Sequence, residues 1–267
     1  MSNFVNRVLV AVPGLVLVLL ALWYGGWWLF ALVAIAGFVA VHEFVTMARP
    51  LAPLAPAAYL GVLLALLGAQ LGGPVWMLGG FLTCFVLAFV LNTMAKTRPP
   101  ATAAIGATVL GAAWIGFGLG HILLLRGLDL KSQLISFTVL LVVFAADTFA
   151  YFGGRLMGRH KMAPTLSPGK TWEGFVVGCL VGVFVAFVAL YQDRDTYLVI
   201  WQALVLGVVV VLVAVAGDLF ESMLKRDMQV KDTGRLLGGH GGVLDRIDAL
   251  LFAAPAVWFL LAAFNQI

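Results

Sequence analysis

Long apolar runs recur along the chain and leave little room for a water-soluble fold. The 267 residues have a mean hydropathy of +1.08 and are 10% charged, whereas an average soluble domain has about 25% charged residues. A membrane-spanning helix needs about 20 mainly apolar residues. On that rule we expect about nine spans, at residues 8–24, 27–47, 57–72, 75–95, 101–125, 133–152, 173–191, 197–220 and 243–264. The sequence therefore predicts an all-α, polytopic integral membrane protein without a soluble domain.

The breaks between these spans contain glycine, proline and charged residues, which interrupt or flank membrane helices. The first apolar run is followed by Gly25-Gly26 and not by a polar cleavage region. We therefore read it as a retained span and not as a signal peptide. We expect a single transmembrane domain over residues 1–267, with N-terminal spans in 1–130, further spans in 131–267, and two polar loops at 153–172 and 221–243.

Basic residues are distributed unevenly between the two sides of the membrane. With an odd number of spans, most of the 16 lysines and arginines lie on the side that also holds the N-terminus and both polar loops. Lysine and arginine accumulate in cytoplasmic loops. We therefore expect the N-terminus and the polar loops inside, and the C-terminus outside.

A polar segment, residues 222–248, stands between two long apolar runs, and the helix before it already contains acidic residues. Asp218, Glu221, Ser222 and Lys225 are spaced so that they share one helical face. An acidic residue at the centre of a membrane helix costs about 2.5 to 3.5 kcal/mol, so Asp218 and Glu221 need a partner or a function. An ion pair with Lys225 or Arg226 at the end of the helix is the structural alternative.

The next span opens with Asp245, Arg246 and Asp248. If the two spans pack antiparallel, Asp218 and Asp245 converge near the membrane interface. Carboxylates facing phosphates are the usual protein ligands of Mg²⁺, so we predict that Asp218 and Asp245 bind this metal. The alternative is that acidic residues in the first turn only complement the helix dipole, for about 0.3 to 1 kcal/mol each.

The other polar region extends from residue 147 to residue 174. Asp147 lies within an apolar run, where a carboxylate needs an explanation. Ser167, Lys170 and Thr171 precede a predicted helix that begins near residue 172, and a helix N-terminus with such neighbours can bind an anion. The spacing is not that of a Walker A loop. Glu173 is a candidate substrate contact or a cap of the same helix.

His42 and Glu43 form a further polar pair, toward the inner end of the second span. A polar contact between spans, a pairing of helices and a proton relay are all open for them.

The two polar regions together resemble one enzyme family. Ser-x-Leu-Lys-Arg, then Lys-Asp-x-Gly, then His-Gly-Gly-x-x-Asp-Arg-x-Asp, from Ser222 to Asp248, resembles the signature of phosphatidate cytidylyltransferases, the CDP-diacylglycerol synthases. The stretch 147–174 is similar to a second block of the same family. The sequence departs from the family at Gly169, where many members have lysine, and at Gly238, where many have proline.

The resemblance implies the reaction of CTP with phosphatidate to give CDP-diacylglycerol and pyrophosphate, by in-line attack of the lipid phosphate on the α-phosphorus. It implies Mg²⁺, with K⁺ as a candidate second ion. It also implies a homodimer in a bacterial-type inner (plasma) membrane, with membrane lipid and no nucleic acid among its partners.

The resemblance also implies roles for individual residues. The expected catalytic residues are Asp218, Asp245, Lys225 and Asp248. The expected substrate-binding residues are Asp147, Ser167, Lys170, Thr171, Glu173, Ser222, Arg226, His240 and Arg246.

Two other functions compete with this interpretation. A CTP-dependent lipid or polyprenol kinase would transfer the γ-phosphate and release CDP instead of pyrophosphate. A secondary transporter would also place acidic residues within spans, but it predicts inverted repeats with broken helices at mid-membrane. The polar residues cluster instead in two loops predicted on one side.

Overall fold

The protein is almost entirely helical. The computed structural model describes residues 3–95, 100–234 and 241–267, with side chains from residue 12 onward. The α-helices of this part of the chain are α1 (Asn3–Tyr24), α2 (Gly26–Met47), α3 (Ala55–Met94), α4 (Ala101–Arg126), α5 (Ser132–Met157), α6 (Trp172–Leu190), α7 (Ile200–Asp227) and α8 (Leu244–Ala263).

The helices have the lengths and composition of membrane spans. Within the described residues, seven helices, α2 to α8, are long and apolar enough to cross a membrane. The described side chains of α1 add a shorter apolar segment, Val12–Tyr24. The prediction of an all-α, polytopic membrane protein is confirmed, and the number of nine spans stays a prediction.

Helix α3 consists of two antiparallel halves. Gly73 has φ 75° and ψ −160°, which are not helical angles, and a proline follows it. A Cβ atom on Gly61 would collide with Cys84, and one on Gly68 would collide with the backbone of Trp76. Gly61 is farther from the turn than Gly68, and its neighbour Cys84 is also farther from the turn than Trp76. The two halves are therefore antiparallel and packed against each other. The break predicted between residues 72 and 75 lies at this turn.

The chain divides into two compact units, residues 1–127 with 227–247 and residues 128–226 with 248–267. In the first unit, α3 packs against α4, and α2 packs against both. In the second unit, α5 packs against α6, where glycines allow close approach of the helices. A Cβ atom on Gly174 would lie 2.5 Å from the carbonyl oxygen of Ala150, and one on Gly178 would lie 2.6 Å from that of Ala146. The single-domain organisation stays a prediction.

The first polar loop contains a feature that the sequence analysis did not predict. Strands β1 (Lys161–Ala163) and β2 (Ser167–Thr171) pair antiparallel, and the N–H of Trp172 donates to the carbonyl of His160 at 3.0 Å. A proline lies in β2, and its missing N–H is tolerated because edge strands need not donate on both sides. The hairpin leads directly into α6.

Helix α7 is longer than the apolar pattern indicates. The predicted span ends at residue 220, but the helix continues to Asp227. The added turns contain a helical ion pair four residues apart, Lys225 to Glu221, and such pairs support helix continuation. The first seven residues of the region expected as loop 221–243 are therefore helix.

Candidate active site

Asp218 and Asp248 form the acidic centre of the second unit. The Lys170 ammonium nitrogen lies 2.7 Å from Asp218 Oδ2, and the Ser222 hydroxyl donates to Asp218 Oδ1 at 3.4 Å. Asp248 is 8% exposed and interacts electrostatically with Asp218, Lys170 and Lys225. The structure thus brings together five of the predicted site residues, which come from three separate parts of the sequence: β2, α7 and α8.

Gly217 explains how the two carboxylates come close. A Cβ atom at this position would lie 2.8 Å from the backbone oxygen of Asp248 and 3.3 Å from Cα of Ala249. Only glycine at this position lets α7 come so close to the part of α8 that begins at Asp248. Because Asp218 is the next residue, the close packing places it beside Asp248.

Glu221 and Lys225 form a buried ion pair one helical turn further along α7. The distance from Lys225 Nζ to Glu221 Oε2 is 2.6 Å, and the two side chains are 13% and 2% exposed. The structural alternative raised from the sequence, an ion pair at the end of the helix, is therefore present. Lys225 also contributes its charge to the surroundings of Asp248, and its catalytic role stays a prediction.

The β-hairpin holds Lys170 in place through contacts of its neighbours. Thr171 is the N-cap of α6, and its hydroxyl accepts from the N–H of Gly174 at 3.2 Å, as capping residues do. The Glu173 carboxylate lies 2.6 Å from His160 Nδ1 and accepts from the His160 N–H at 3.2 Å. Thr171 and Glu173 thus have structural contacts at the end of the strand that carries Lys170. Substrate contacts of these two residues stay predictions.

The other predicted binding residues of the second unit lie around this hairpin or on α5. Ser167 is in β2, opposite Ala163. Arg226 Nε donates to the carbonyl of Leu166 at 3.3 Å and so connects the end of α7 to the hairpin turn. Asp147 is exposed in the second half of α5.

Asp245 lies in the first unit, at the start of α8. Its Oδ2 atom accepts from the N–H of Thr233 at 3.0 Å, the hydroxyl of Thr233 at 2.9 Å and the N–H of Gly242 at 2.7 Å. Arg246 is exposed, and His240 lies outside the described residues. The convergence of Asp218 with Asp245 stays a prediction.

Glu43 contributes to the same region as Asp245, a role that the sequence left open. Its carboxylate is buried at 5% exposure and accepts from the N–H groups of Val243 at 3.0 Å and Leu244 at 2.8 Å. His42, its neighbour, instead contacts the Tyr59 hydroxyl at 3.0 Å. The signal available in the sequence was an acidic residue within a span, which is rare without a function.

A comparison with known protein families agrees with these features. The model of the cytidylyltransferase family matches residues 5–264 of the chain. The chain belongs to the cytidylyltransferase family. The match includes the β-hairpin, α7, α8 and the helices of the first unit, so this cytidylyltransferase carries the family pattern over nearly its whole length.

Individual relatives of this cytidylyltransferase carry a more specific name. The chain is 34% identical to the phosphatidate cytidylyltransferase of Mycobacterium bovis. The alignment is 270 positions long and covers 93% of this chain and 84% of the relative. The protein of the same name from Mycobacterium tuberculosis is also 34% identical, with 93% and 79% covered. That of Haemophilus influenzae is 46% identical over 120 residues, with 44% and 42% covered.

The carboxylates of the cytidylyltransferase suit a magnesium ion that is shared with a substrate. Within the described residues, no group of three His, Cys, Asp or Glu side chains could hold a metal ion. Mg²⁺, however, is usually held by one or two carboxylates, several waters and substrate phosphates. The neighbouring carboxylates of Asp218 and Asp248 fit this pattern. In the first unit, Asp245 Oδ2 accepts three hydrogen bonds, and a role of Asp245 in metal binding stays a prediction.

Proposed function

We propose that this protein is a phosphatidate cytidylyltransferase, which converts CTP and phosphatidate into CDP-diacylglycerol and pyrophosphate. The observation that carries the proposal is the 34% identity to relatives of that name over 93% of the chain. The cluster of Asp218, Asp248, Lys170 and Lys225 supports it, because a nucleotidyl transfer needs both cations and carboxylates near the phosphates.

In this reaction an oxygen of the phosphatidate phosphate forms a bond to the α-phosphorus of CTP. The bond from the α-phosphorus to the oxygen that bridges to the β-phosphorus breaks, and pyrophosphate leaves with that oxygen. The attacking phosphate is already anionic, so the chain needs no general base. Its task is to hold two negatively charged reactants in line and to neutralise their charge.

Lys170 and Lys225 are the two lysines whose charges act on Asp248 in the second unit, and they are candidates for this task. Lys170 faces Asp218 from the β-hairpin, and a triphosphate that arrives there can replace the carboxylate as its partner. Arg226, beside the hairpin turn, and Arg246 are further candidates for the phosphates. Ser222, bonded to Asp218, would keep that carboxylate oriented.

Mg²⁺ is the cofactor that we propose, held by Asp218 and Asp245, as the sequence predicts, with Asp248 beside Asp218. When bound, it supplies charge neutralisation at the phosphates. K⁺ remains a candidate second ion.

Product analysis tests the proposed reaction directly. The purified protein, with phosphatidate, Mg²⁺ and CTP labelled at the α-phosphate, should transfer the label to lipid and release pyrophosphate. A lipid kinase would leave the α-label in CDP. Asp218→Asn should lose turnover at unchanged expression, whereas Asp193→Asn, at an acidic residue paired with Lys131, should keep it. Label in CDP, or full turnover in Asp218→Asn, would overturn the proposal.

We also propose an orientation and an assembly. The protein would lie in a bacterial inner membrane with its N-terminus and both polar regions in the cytoplasm, and would form a homodimer. A cysteine at Gly169, where a side chain meets open space, should react with an impermeant thiol reagent only in inverted vesicles. The two native cysteines would be replaced first. Labelling from the outer face would refute this orientation, and a monomer mass in detergent would refute the dimer.

A further inference from the structure

The N-terminus of α8 is bound by a carboxylate from a distant part of the first unit. Glu43, in α2, accepts from the N–H groups of Val243 and Leu244, which are 200 and 201 residues away along the chain. The first N–H groups of a helix have no partner within the helix, and the positive end of its dipole favours a negative charge. Glu43 therefore acts as a helix cap supplied by another helix.

The backbone around this carboxylate is shaped to receive it. A Cβ atom on Gly234 or on Gly242 would collide with the carboxylate oxygens of Glu43. Both glycines lie in the segment between α7 and α8, so the segment approaches the carboxylate at two points where any other residue would be excluded. The Glu43 side chain is therefore closely packed by this segment on two sides.

Thr233 lies between the Glu43 carboxylate and that of Asp245. Its hydroxyl lies 2.9 Å from Asp245 Oδ2 and 3.3 Å from Glu43 Oε2, and its N–H donates to Asp245 Oδ2 at 3.0 Å. A hydroxyl has a single proton to donate, and the shorter distance assigns it to Asp245. Thr233 is 7% exposed, so this connection is shielded from water.

We infer that Glu43 is a positioning residue for Asp245. It fixes the first turn of α8 and the segment that carries Thr233, and these donors in turn fix the Asp245 carboxylate. The inference rests on the proposed function, in which Asp245 acts on the substrates or their metal. Residues that orient a metal-binding side chain typically change metal affinity or activity by about 10- to 100-fold when they are replaced.

Substitutions at two positions separate this role from a general contribution to folding. Glu43→Gln keeps the size of the side chain, removes its charge and puts an amide NH2 group opposite one of the two N–H donors, because Val243 and Leu244 donate to different oxygens of the carboxylate. Thr233→Val keeps the shape and removes the hydroxyl, whereas Thr233→Ser keeps the hydroxyl. His42→Ala is the matched control, because His42 is next to Glu43 on α2 but contacts Tyr59.

Hydrogen exchange of the full-length protein in detergent tests the cap independently of activity. In Glu43→Gln the amides of Val243 and Leu244 should exchange faster, at an unchanged rate elsewhere in α2 and α8. In His42→Ala they should exchange as in the wild type. Unchanged protection of these amides in Glu43→Gln would overturn the inference, even for a protein without cytidylyltransferase activity.

Kinetics test the positioning of Asp245. Glu43→Gln and Thr233→Val should each lower kcat by about 10- to 100-fold and raise the Mg²⁺ concentration for half-maximal rate, with the KM for phosphatidate unchanged. Thr233→Ser should restore the wild-type values to within about threefold. The double variant should be little worse than either single variant, because residues in one network are not additive.

Other results overturn the inference or the function separately. Wild-type kcat in Glu43→Gln, or a Thr233→Ser variant as poor as Thr233→Val, would refute the positioning role. If Glu43→Gln does not fold, the two Thr233 variants still decide it. A wild-type protein that releases no pyrophosphate refutes the proposed function and leaves hydrogen exchange to decide the cap.

Discussion

Replacing Gly217 by alanine tests whether the close approach of α8 to α7 sets the acidic cluster. The new methyl carbon would lie 2.8 Å from the backbone oxygen of Asp248 and 3.0 Å from Cδ2 of Phe252. Favourable contacts between carbon atoms are about 3.5 to 4.0 Å long, so the helices must separate by roughly 0.5 Å. Asp248 would then move away from Asp218.

The expected magnitude differs between stability and activity. Overpacking costs about 1 to 3 kcal/mol, and alanine in a helix returns about 0.5 to 1 kcal/mol relative to glycine. The free energy of unfolding should therefore fall by at most about 2.5 kcal/mol, which leaves the protein folded. A displacement of about 1 Å in an active site can cost 100-fold in rate, so half of it should lower kcat by about tenfold.

The assay is pyrophosphate release from CTP and phosphatidate, together with thermal unfolding in detergent. Gly106→Ala is the control, because a Cβ atom at Gly106 in α4 meets nothing within 4 Å. It should be neutral or slightly stabilising and fully active. A Gly217→Ala variant with wild-type kcat, or one whose activity falls only as its folded fraction falls, would refute the reasoning.

Three further substitutions test other contacts of the second unit. Lys170→Met should lower kcat/KM for CTP by about 10- to 100-fold, since a hydrogen bond to a charged group contributes about 1.5 to 3 kcal/mol; unchanged steady-state kinetics would contradict this. Gly169→Lys, at a site with open space, should lower the KM for CTP by up to about fivefold, the effect of an exposed ion pair of about 1 kcal/mol. A higher KM would refute a phosphate contact there. Glu221→Gln should lower the free energy of unfolding by up to about 3 to 5 kcal/mol, because a neutral amide replaces the buried carboxylate that pairs with Lys225; thermal unfolding in detergent measures this, and an unchanged midpoint would contradict it.

The helices could be predicted from the sequence because lipid-spanning segments must be apolar over their whole length. The span expected at 101–125 is helix Ala101–Arg126. Where a helix continues beyond the apolar run, the pattern fails. Helix α5 is predicted to end at residue 152 but ends at Met157, since two glycines followed by an arginine after an apolar run do not distinguish helix from loop.

The site was predictable to the extent that local spacing determines it. The spacing of Asp218, Ser222 and Lys225 placed them on one face of α7, as the structure has them. The contact of Lys170 with Asp218 depends on the β-hairpin, which no hydrophobic period indicates. The cap of α8 by Glu43 joins residues 200 positions apart, and local patterns contain no information on such pairs.

The antiparallel halves of α3 have a consequence for how the chain enters the bilayer. The sequence between Ala55 and Met94 contains no charged residue, and the turn at Gly73 is itself apolar or small on both sides. Placing a charged residue at the centre of a membrane helix costs about 2.5 to 3.5 kcal/mol. This hairpin has no charged residue, so its insertion does not carry that cost. The two halves can therefore insert into the bilayer together as one helical hairpin. No charged residue has to cross the lipid when its turn moves to the far side.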